Sequence, residues 1–240
     1  AGRSGPDLDR ELDAVGWVDA LEADPAAAGR VLFQIQGATL MSSSALDRVL
    51  AHALTGDPSA GPVVIPPPGD WRAPGRGEGD GLDARGLLIG DRPGAGAVLI
   101  AAVGAGGRPV VASVATGALT ARPVSGLDPG LGLVEVRADR TAWSPAPGRH
   151  TGWPEARARG QMALGWELAG CARAMLELAG RHALERVQFG RPIASFQAVR
   201  HRLAETLVAV EAAEAVLESA EVDGGPELAA VAKAVAGRSA

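Results

Sequence analysis

His182-Ala183-Leu184-Glu185-Arg186-Val187-Gln188-Phe189-Gly190-Arg191-Pro192-Ile193-Ala194-Ser195-Phe196-Gln197-Ala198-Val199-Arg200-His201-Arg202-Leu203-Ala204-Glu205 is the run from which the rest of the chain can be read. Its left end closes an Ala/Leu/Met-rich stretch, Glu155 to Glu185, that has few breakers and is expected to be helical. Phe189-Gly190-Arg191-Pro192 reads as a turn, since Gly tolerates unusual backbone angles and Pro cannot continue a helix. Ser195 offers a cap for a second helix, Phe196 to about Glu221. There Phe196, Val199, Leu203, Leu207, Val210, Ala213 and Leu217 recur every three or four residues, which predicts one buried stripe. Gly224-Gly225-Pro226 ends that helix, and a third runs from Glu227 to the end. Two long helices joined by a short turn pack antiparallel. Their inward faces need cover, so more chain or a partner subunit is expected to complete the bundle.

Working outward, the character changes before residue 150. Residues 57–150 hold six short β-type runs between Gly- and Pro-rich breaks: Pro62–Ile65, Gly86–Ile89, Val98–Val103, Pro109–Val114, Thr120–Val124 and Leu131–Val136. No helix-length segment separates them, so a small antiparallel barrel or sandwich is predicted rather than a βαβ unit. The stretches from Pro66 to Gly69 and from Gly75 to Gly81 read as loops. Residues 1–56 read as helical. One segment runs Leu8 to Leu21, a second opens at Asp24-Pro25, and a third follows the Ser42-Ser43-Ser44 cluster and stops at Gly56-Asp57-Pro58. Val31, Leu32 and Ile35, then Leu46, Val49, Leu50 and Ala53, mark the expected inner faces. The expected fold is therefore α+β, with an N-terminal helical segment (1–56), a central β domain (57–150) and a C-terminal helical bundle (151–240).

Composition narrows the function. The 240 residues are 47% hydrophobic and 21% charged, the balance of a globular chain rather than a disordered tail or rod. Aromatics are only 3%, so aliphatic side chains and Ala must fill the core. The net charge of −5, with no basic stripe, argues against nucleic acid. Lone Cys171 excludes an internal disulfide and a Cys-based zinc site, and it fits a cytoplasmic location. No apolar run approaches the roughly 20 residues of a membrane span. The first residues lack a starting Met and an apolar signal core, so further upstream sequence is expected.

Motifs for phosphate loops and nucleophile elbows are absent. Gly104-Ala105-Gly106-Gly107 precedes Arg108-Pro109 rather than a helix and reads as a hairpin turn. His52, His150, His182 and His201 show no metal-ligand spacing, and no metal is expected.

The opening run resembles the C-terminal signature of the acyl-CoA dehydrogenase family: an Arg, two variable residues, Phe-Gly, a basic-Pro-Ile turn, then Phe-Gln at the next helix. The order helix, β, helix is also that of the family. The resemblance implies an α,β-dehydrogenation of an acyl-CoA thioester in lipid metabolism, with electrons to FAD and on to an electron-transfer flavoprotein. It implies a homo-oligomer, or a hetero-oligomer with a related subunit, in which this corner reaches the adenosine-diphosphate half of a neighbour's FAD. Arg186, Gln188, Phe189, Phe196 and Gln197 are then the candidate cofactor contacts. An Arg fork suits a pyrophosphate, and free N–H groups opening a helix favour anionic oxygen. For Phe189 and Phe196, packing of the corner is an equally open reading.

Parts of the family pattern are missing. No Thr-Glu-Pro…Gly-Ser-Asp segment is present, and Trp143-Ser144 falls at the end of the β region before Pro145. The position where some members carry the catalytic Glu falls near Gly160, and a CoA-contacting Arg position falls near Gln161. Arg157 or Arg159 could substitute, while no spacing selects Glu167 or Glu177. The catalytic base is therefore unassigned. A catalytically degenerate subunit of a heteromeric enzyme, without an active site of its own, is the alternative expectation.

Overall fold

The computed structural model describes residues 6–89, 96–125 and 132–240. The chain divides into two compact units. Among the described residues, one joins Ala26–Met41 to Gln161–Ala240; the other joins the residues from Pro6 to Pro25 to Ser42–Gly160.

In the second unit, α1 (Pro6–Ala14) and α2 (Trp17–Ala23) replace the single helix expected over Leu8 to Leu21. Gly16 sits at φ 74°, a left-handed conformation that breaks the helical ladder between them. Helix α4 (Ala45–Thr55) ends where the sequence places its stop, with Gly56 left-handed and its N–H on the His52 carbonyl. At its start the backbone N–H of Ser44 is taken by Asp9 Oδ1 at 2.8 Å, and that of Ala45 by Ser43 Oγ at 3.2 Å.

Among the described residues, the sheet of this unit has seven strands: β1 (Gly75–Glu78), β2 (Gly81–Leu88), β3 (Ala97–Val103), β4 (Pro109–Ala115), β5 (Thr120–Pro123), β6 (Val134–Ala142) and β7 (Ser144–Pro145). Their order is β5-β6-β2-β1-β3-β4-β7. Every pairing of these strands is antiparallel except β1 with β3, so the sheet is mixed rather than purely antiparallel. The run Pro62–Ile65 forms only two isolated bridges, Val63 to Leu99 and Ile65 to Leu87. It therefore shares with β1 the slot between β2 and β3. Leu131, the start of the last expected run, lies outside the described residues; the strand itself begins at Val134.

The stretch Gly75–Gly81 is not a loop: it supplies β1 and the turn into β2. A Cβ on Gly75 would sit 2.9 Å from Ala102 Cβ and Ile100 Cγ2, and one on Gly77 would sit 3.3 Å from the Trp143 ring. The glycines thus let a strand lie close against its neighbours, a use of Gly that resembles a breaker in sequence. One core gathers Leu50, Leu54, Val63, Leu99, Val111 and Trp153; another gathers Leu82, Leu88, Val98, Ile100, Val134 and Val136.

In the first unit, α3 (Pro25–Thr39) begins at the expected Pro, but its buried face is Gly29, Leu32, Phe33, Gln36 and Gly37. Val31 and Ile35 are exposed. A Cβ on Gly37 would come within 1.9 Å of the Glu167 carbonyl oxygen, and one on Gly170 within 2.2 Å of the Gln34 carbonyl oxygen. Backbone therefore meets backbone where α3 crosses α5 (Trp153–Glu185). Helix α5 runs antiparallel to α6 (Gln197–Asp223): Arg173 binds Glu211 and Glu214, and Trp166 Nε1 donates to Glu221 at 2.6 Å. Helix α7 (Pro226–Ser239) packs back along α6, burying Ala229, Ala232 and Ala236.

The stripe expected along α6 is only half buried. Val210, Ala213 and Leu217 are enclosed, whereas Phe196, Val199 and Leu203 are half-buried and Leu207 is exposed. Periodicity marks an apolar face; it does not say how far along the helix a partner extends.

Candidate functional site

The corner between α5 and α6 is a β-hairpin rather than a simple turn. Strands β8 (Val187–Gln188) and β9 (Arg191–Pro192) pair Val187 with Pro192 and Gln188 with Arg191. Phe189 and Gly190 form its two-residue tip, both with positive φ (52° and 77°). This is the turn whose twist matches that of paired strands. The Ile193 N–H donates to the Arg186 carbonyl at 2.8 Å and closes the base of the hairpin.

Ser195 does not cap α6. It lies in a 3-10 turn, Ile193–Ser195, and its hydroxyl donates to the Pro192 carbonyl at 2.7 Å. Phe196 stands at the cap position, and no side chain takes the first N–H groups of α6. The Val199 N–H is taken by the Phe196 carbonyl at 3.1 Å, which leaves those of Gln197 and Ala198 to an anionic oxygen.

All five sequence-derived residues fall on this corner. Arg186, Gln188 and Gln197 are exposed. Phe189 and Phe196 meet edge-to-face with centroids 6.1 Å apart, yet Phe189 stays 90% exposed. Arg191, read from the sequence only as a turn residue, stacks its guanidinium 4.4 Å from the Phe196 ring centroid. Its position opposite Gln188 in a two-residue hairpin was the signal that marks it. The donor set fits a diphosphate: two guanidinium groups, two side-chain amides and uncapped helix N–H groups, with two rings beside them.

The other positions singled out are less suited to chemistry. A Cβ on Gly160 would meet Leu50 Cδ2 at 3.0 Å, so an acid there would abut an apolar side chain. Gln161 is buried, and its Oε1 finds no hydrogen-bond partner. Arg157 donates from Nη1 to the Trp71 carbonyl at 2.7 Å and lies 5.9 Å from the Trp71 ring centroid; its Nε is buried without a partner. Arg159 and Glu177 are exposed. Burial raises the pKa of Glu167 above the usual carboxylate range. Trp143 covers Gly77, which gives the Trp143-Ser144 pair a packing role in the sheet. His182 and His201 are exposed, and Cys171 is half-buried. Among the described residues, no three His, Cys, Asp or Glu side chains converge as a metal site, and no helix is long and apolar enough to cross a membrane.

Solved structures share this arrangement of helices and sheet. The Tcur3481-Tcur3483 steroid ACAD G363A variant matches 93% of this chain and 71% of its own, with a TM-score of 0.74 and 23% identity. The ChsE4-ChsE5 complex from Mycobacterium tuberculosis matches 96% of this chain and 72% of its own, with a TM-score of 0.71 and 22% identity. At such identities the likeness is one of fold. In sequence, residues 155–240 match the family model of the acyl-CoA dehydrogenase C-terminal domain. The acyl-CoA dehydrogenase IpdE2 of Mycobacterium tuberculosis is 35% identical over 134 residues, which cover 53% of this chain and 40% of that protein. FadE34 of the same organism is 46% identical over 63 residues, covering 24% of this chain and 9% of FadE34. Residues 155–240 therefore carry the sequence pattern of an acyl-CoA dehydrogenase C-terminal domain. The chain matches well under two thirds of the length of these curated relatives.

Proposed function

We propose that the chain works within an acyl-CoA dehydrogenase-type flavoprotein that carries out α,β-dehydrogenation of an acyl-CoA thioester. The observation that carries this reading is the α5–α6 corner, where Arg186, Gln188, Phe189, Phe196 and Gln197 sit together on one hairpin-braced elbow inside the segment that matches the family model. Bound FAD would supply the two-electron acceptor for the β-hydride. The chain's own part is binding. Arg186 and Arg191 would fork onto the diphosphate, Gln188 and Gln197 would hydrogen-bond beside it, and Phe189 would offer its open face to a ring. Leu184, Val187 and Phe189 are exposed apolar side chains at this elbow. They support assembly with another subunit, a second copy or a related chain, whose nucleotide the elbow would clasp. An electron-transfer flavoprotein is the expected electron acceptor, and the cytoplasm the expected location.

A second reading is favoured by Gly160 and Gln161. At the positions where the family resemblance locates a base and a CoA-binding Arg, the chain holds neither an acid nor a cation. In that reading it is a degenerate subunit that contributes the corner to a catalytic partner.

Flavin absorbance of the purified protein, alone and mixed with a related family subunit, tests both. Flavin bound by the chain alone, with turnover of acyl-CoA, supports the first reading. Flavin retained only in the mixed complex supports the second, and a colourless mixture rejects both. Arg186→Ala is expected to lower flavin retention about tenfold while the helical circular dichroism stays unchanged.

A further inference from the structure

The outer face of the sheet gathers three arginines around one carboxylate. Residues Val134, Val136 and Ala138 of β6 point into the core, so Glu135 and Arg137 point outward. Register sets Arg85 of β2 directly opposite Arg137, and Arg122 of β5 directly opposite Glu135. Arg85 Nε and Arg137 Nη2 each donate to Glu135 Oε1 at 3.0 Å, and Arg122 Nη2 donates to Oε2 at 2.7 Å. The Glu135 side chain is only 10% exposed beneath them, whereas the arginine side chains are 51–77% exposed. Hydrogen bonds from Arg122, then Arg137, then Arg85 hold the Glu135 carboxyl at about 2, so it stays ionised.

The charge count is unusual for a purely structural pairing. Three cations on one anion leave two positive charges, and Arg85 facing Arg137 across the sheet is an unfavourable like-charge pair. Between the helices the excess runs the other way at two places: Arg173 serves Glu211 and Glu214, and Arg30 serves Glu218 and Glu221. The further acids of these strands lie at the β2–β6 bulge. Asp83 accepts the Arg140 N–H at 2.6 Å there, and Asp139 lies beyond the end of β5, whose Thr120 faces Arg137. Each guanidinium keeps N–H groups beyond the one donated to Glu135, in the planar fork that suits phosphoryl oxygens.

We propose that Arg85, Arg122 and Arg137, held in place by Glu135, form a binding site for a phosphate or diphosphate dianion on the outer face of the sheet. The proposal does not rest on the reading of the α5–α6 corner and stands whether or not the chain handles flavin. Glu135 is an internal anion that both orients the three forks and competes with the ligand for them.

That dual role gives the test. Inorganic pyrophosphate and inorganic phosphate are titrated into the folded full chain by calorimetry and 31P line broadening, with sodium chloride matched for ionic strength. The wild-type chain is expected to bind pyrophosphate, and Arg122→Ala to weaken it about tenfold. Glu135→Gln keeps an acceptor but removes the competing charge, and it is expected to tighten binding several-fold. Should Glu135→Gln fail to fold, Arg137→Gln and Arg122→Ala decide the matter, and unchanged affinity in both overturns the site. Loss of binding in folded Glu135→Gln, no pyrophosphate signal in the wild type, or a chloride response equal to that of pyrophosphate likewise overturns it.

Discussion

Asp47 is a buried carboxylate whose Oδ1 accepts the Val63 N–H at 2.9 Å, fixing the entry of the first β run onto α4. Burial, with help from the charge of Asp9, pushes its pKa up to about 7 against the opposing pull of the Val63 hydrogen bond. The folded state then holds a proton that the unfolded chain releases near pH 4. Its contribution to stability is largest at acid pH and declines as pH rises from about 4 to about 7. Glu167 contributes in the same direction, while His52, lowered chiefly by burial and Arg149, opposes it by favouring the neutral ring. Asp47→Asn isolates the effect. Thermal melts should show the variant gaining on the wild type by about 2–4 kcal/mol between pH 5 and pH 8. Parallel pH profiles for the two proteins would contradict this. Gly170 is a position that only Gly fits without strain. Its α-hydrogen faces the Gln34 carbonyl, and Gly170→Ala should cost about 2–3 kcal/mol in urea unfolding, although Ala is the better helix former.

Among the elements, α6 carries the clearest lesson. Its apolar spacing runs the length of the helix, yet burial is complete only from Val210 onward. Leu217→Ala should therefore cost about 2–5 kcal/mol in the isolated chain, whereas Val208→Ala should change stability by less than about 0.5 kcal/mol. If the exposed half of α6 is covered in an assembly, Val208→Asp should lower the assembled mass by size-exclusion chromatography and leave the monomer melt in place. The start of α3, the end of α4 and the break between α6 and α7 were legible because Pro25, Gly56 and Gly224-Gly225-Pro226 have the same meaning in sequence and in structure. Strand β1 was not. Gly75 and Gly77 look like loop residues until Ile100, Ala102 and Trp143 are seen against them. The hairpin at Phe189-Gly190 was legible as a turn, but its β pairing and the stacking of Arg191 on Phe196 depend on a positive φ at Phe189, which no propensity favours.

For the whole molecule, the order helix, β, helix and the family signature could be read from the chain directly. The composition of the two units could not, since α3 is grouped with helices far along the sequence. Arg186, Gln188, Phe189, Phe196 and Gln197 could be named as candidates because they lie in one contiguous run, while Arg191 in the same run read only as a turn residue. The arginine trio of the sheet was missed because Arg85, Arg122 and Arg137 come from three strands whose register only the folded sheet reveals.

That grouping has a consequence for synthesis. Roughly 120 residues separate Met41 from Gln161. At about 5–20 residues per second, α3 leaves the ribosome on the order of ten seconds before α5 exists to receive it. Throughout that interval Leu32 and Phe33, buried in the finished protein, have no native partner from the later helices. The nascent chain thus presents an uncovered hydrophobic strip until the later helices emerge.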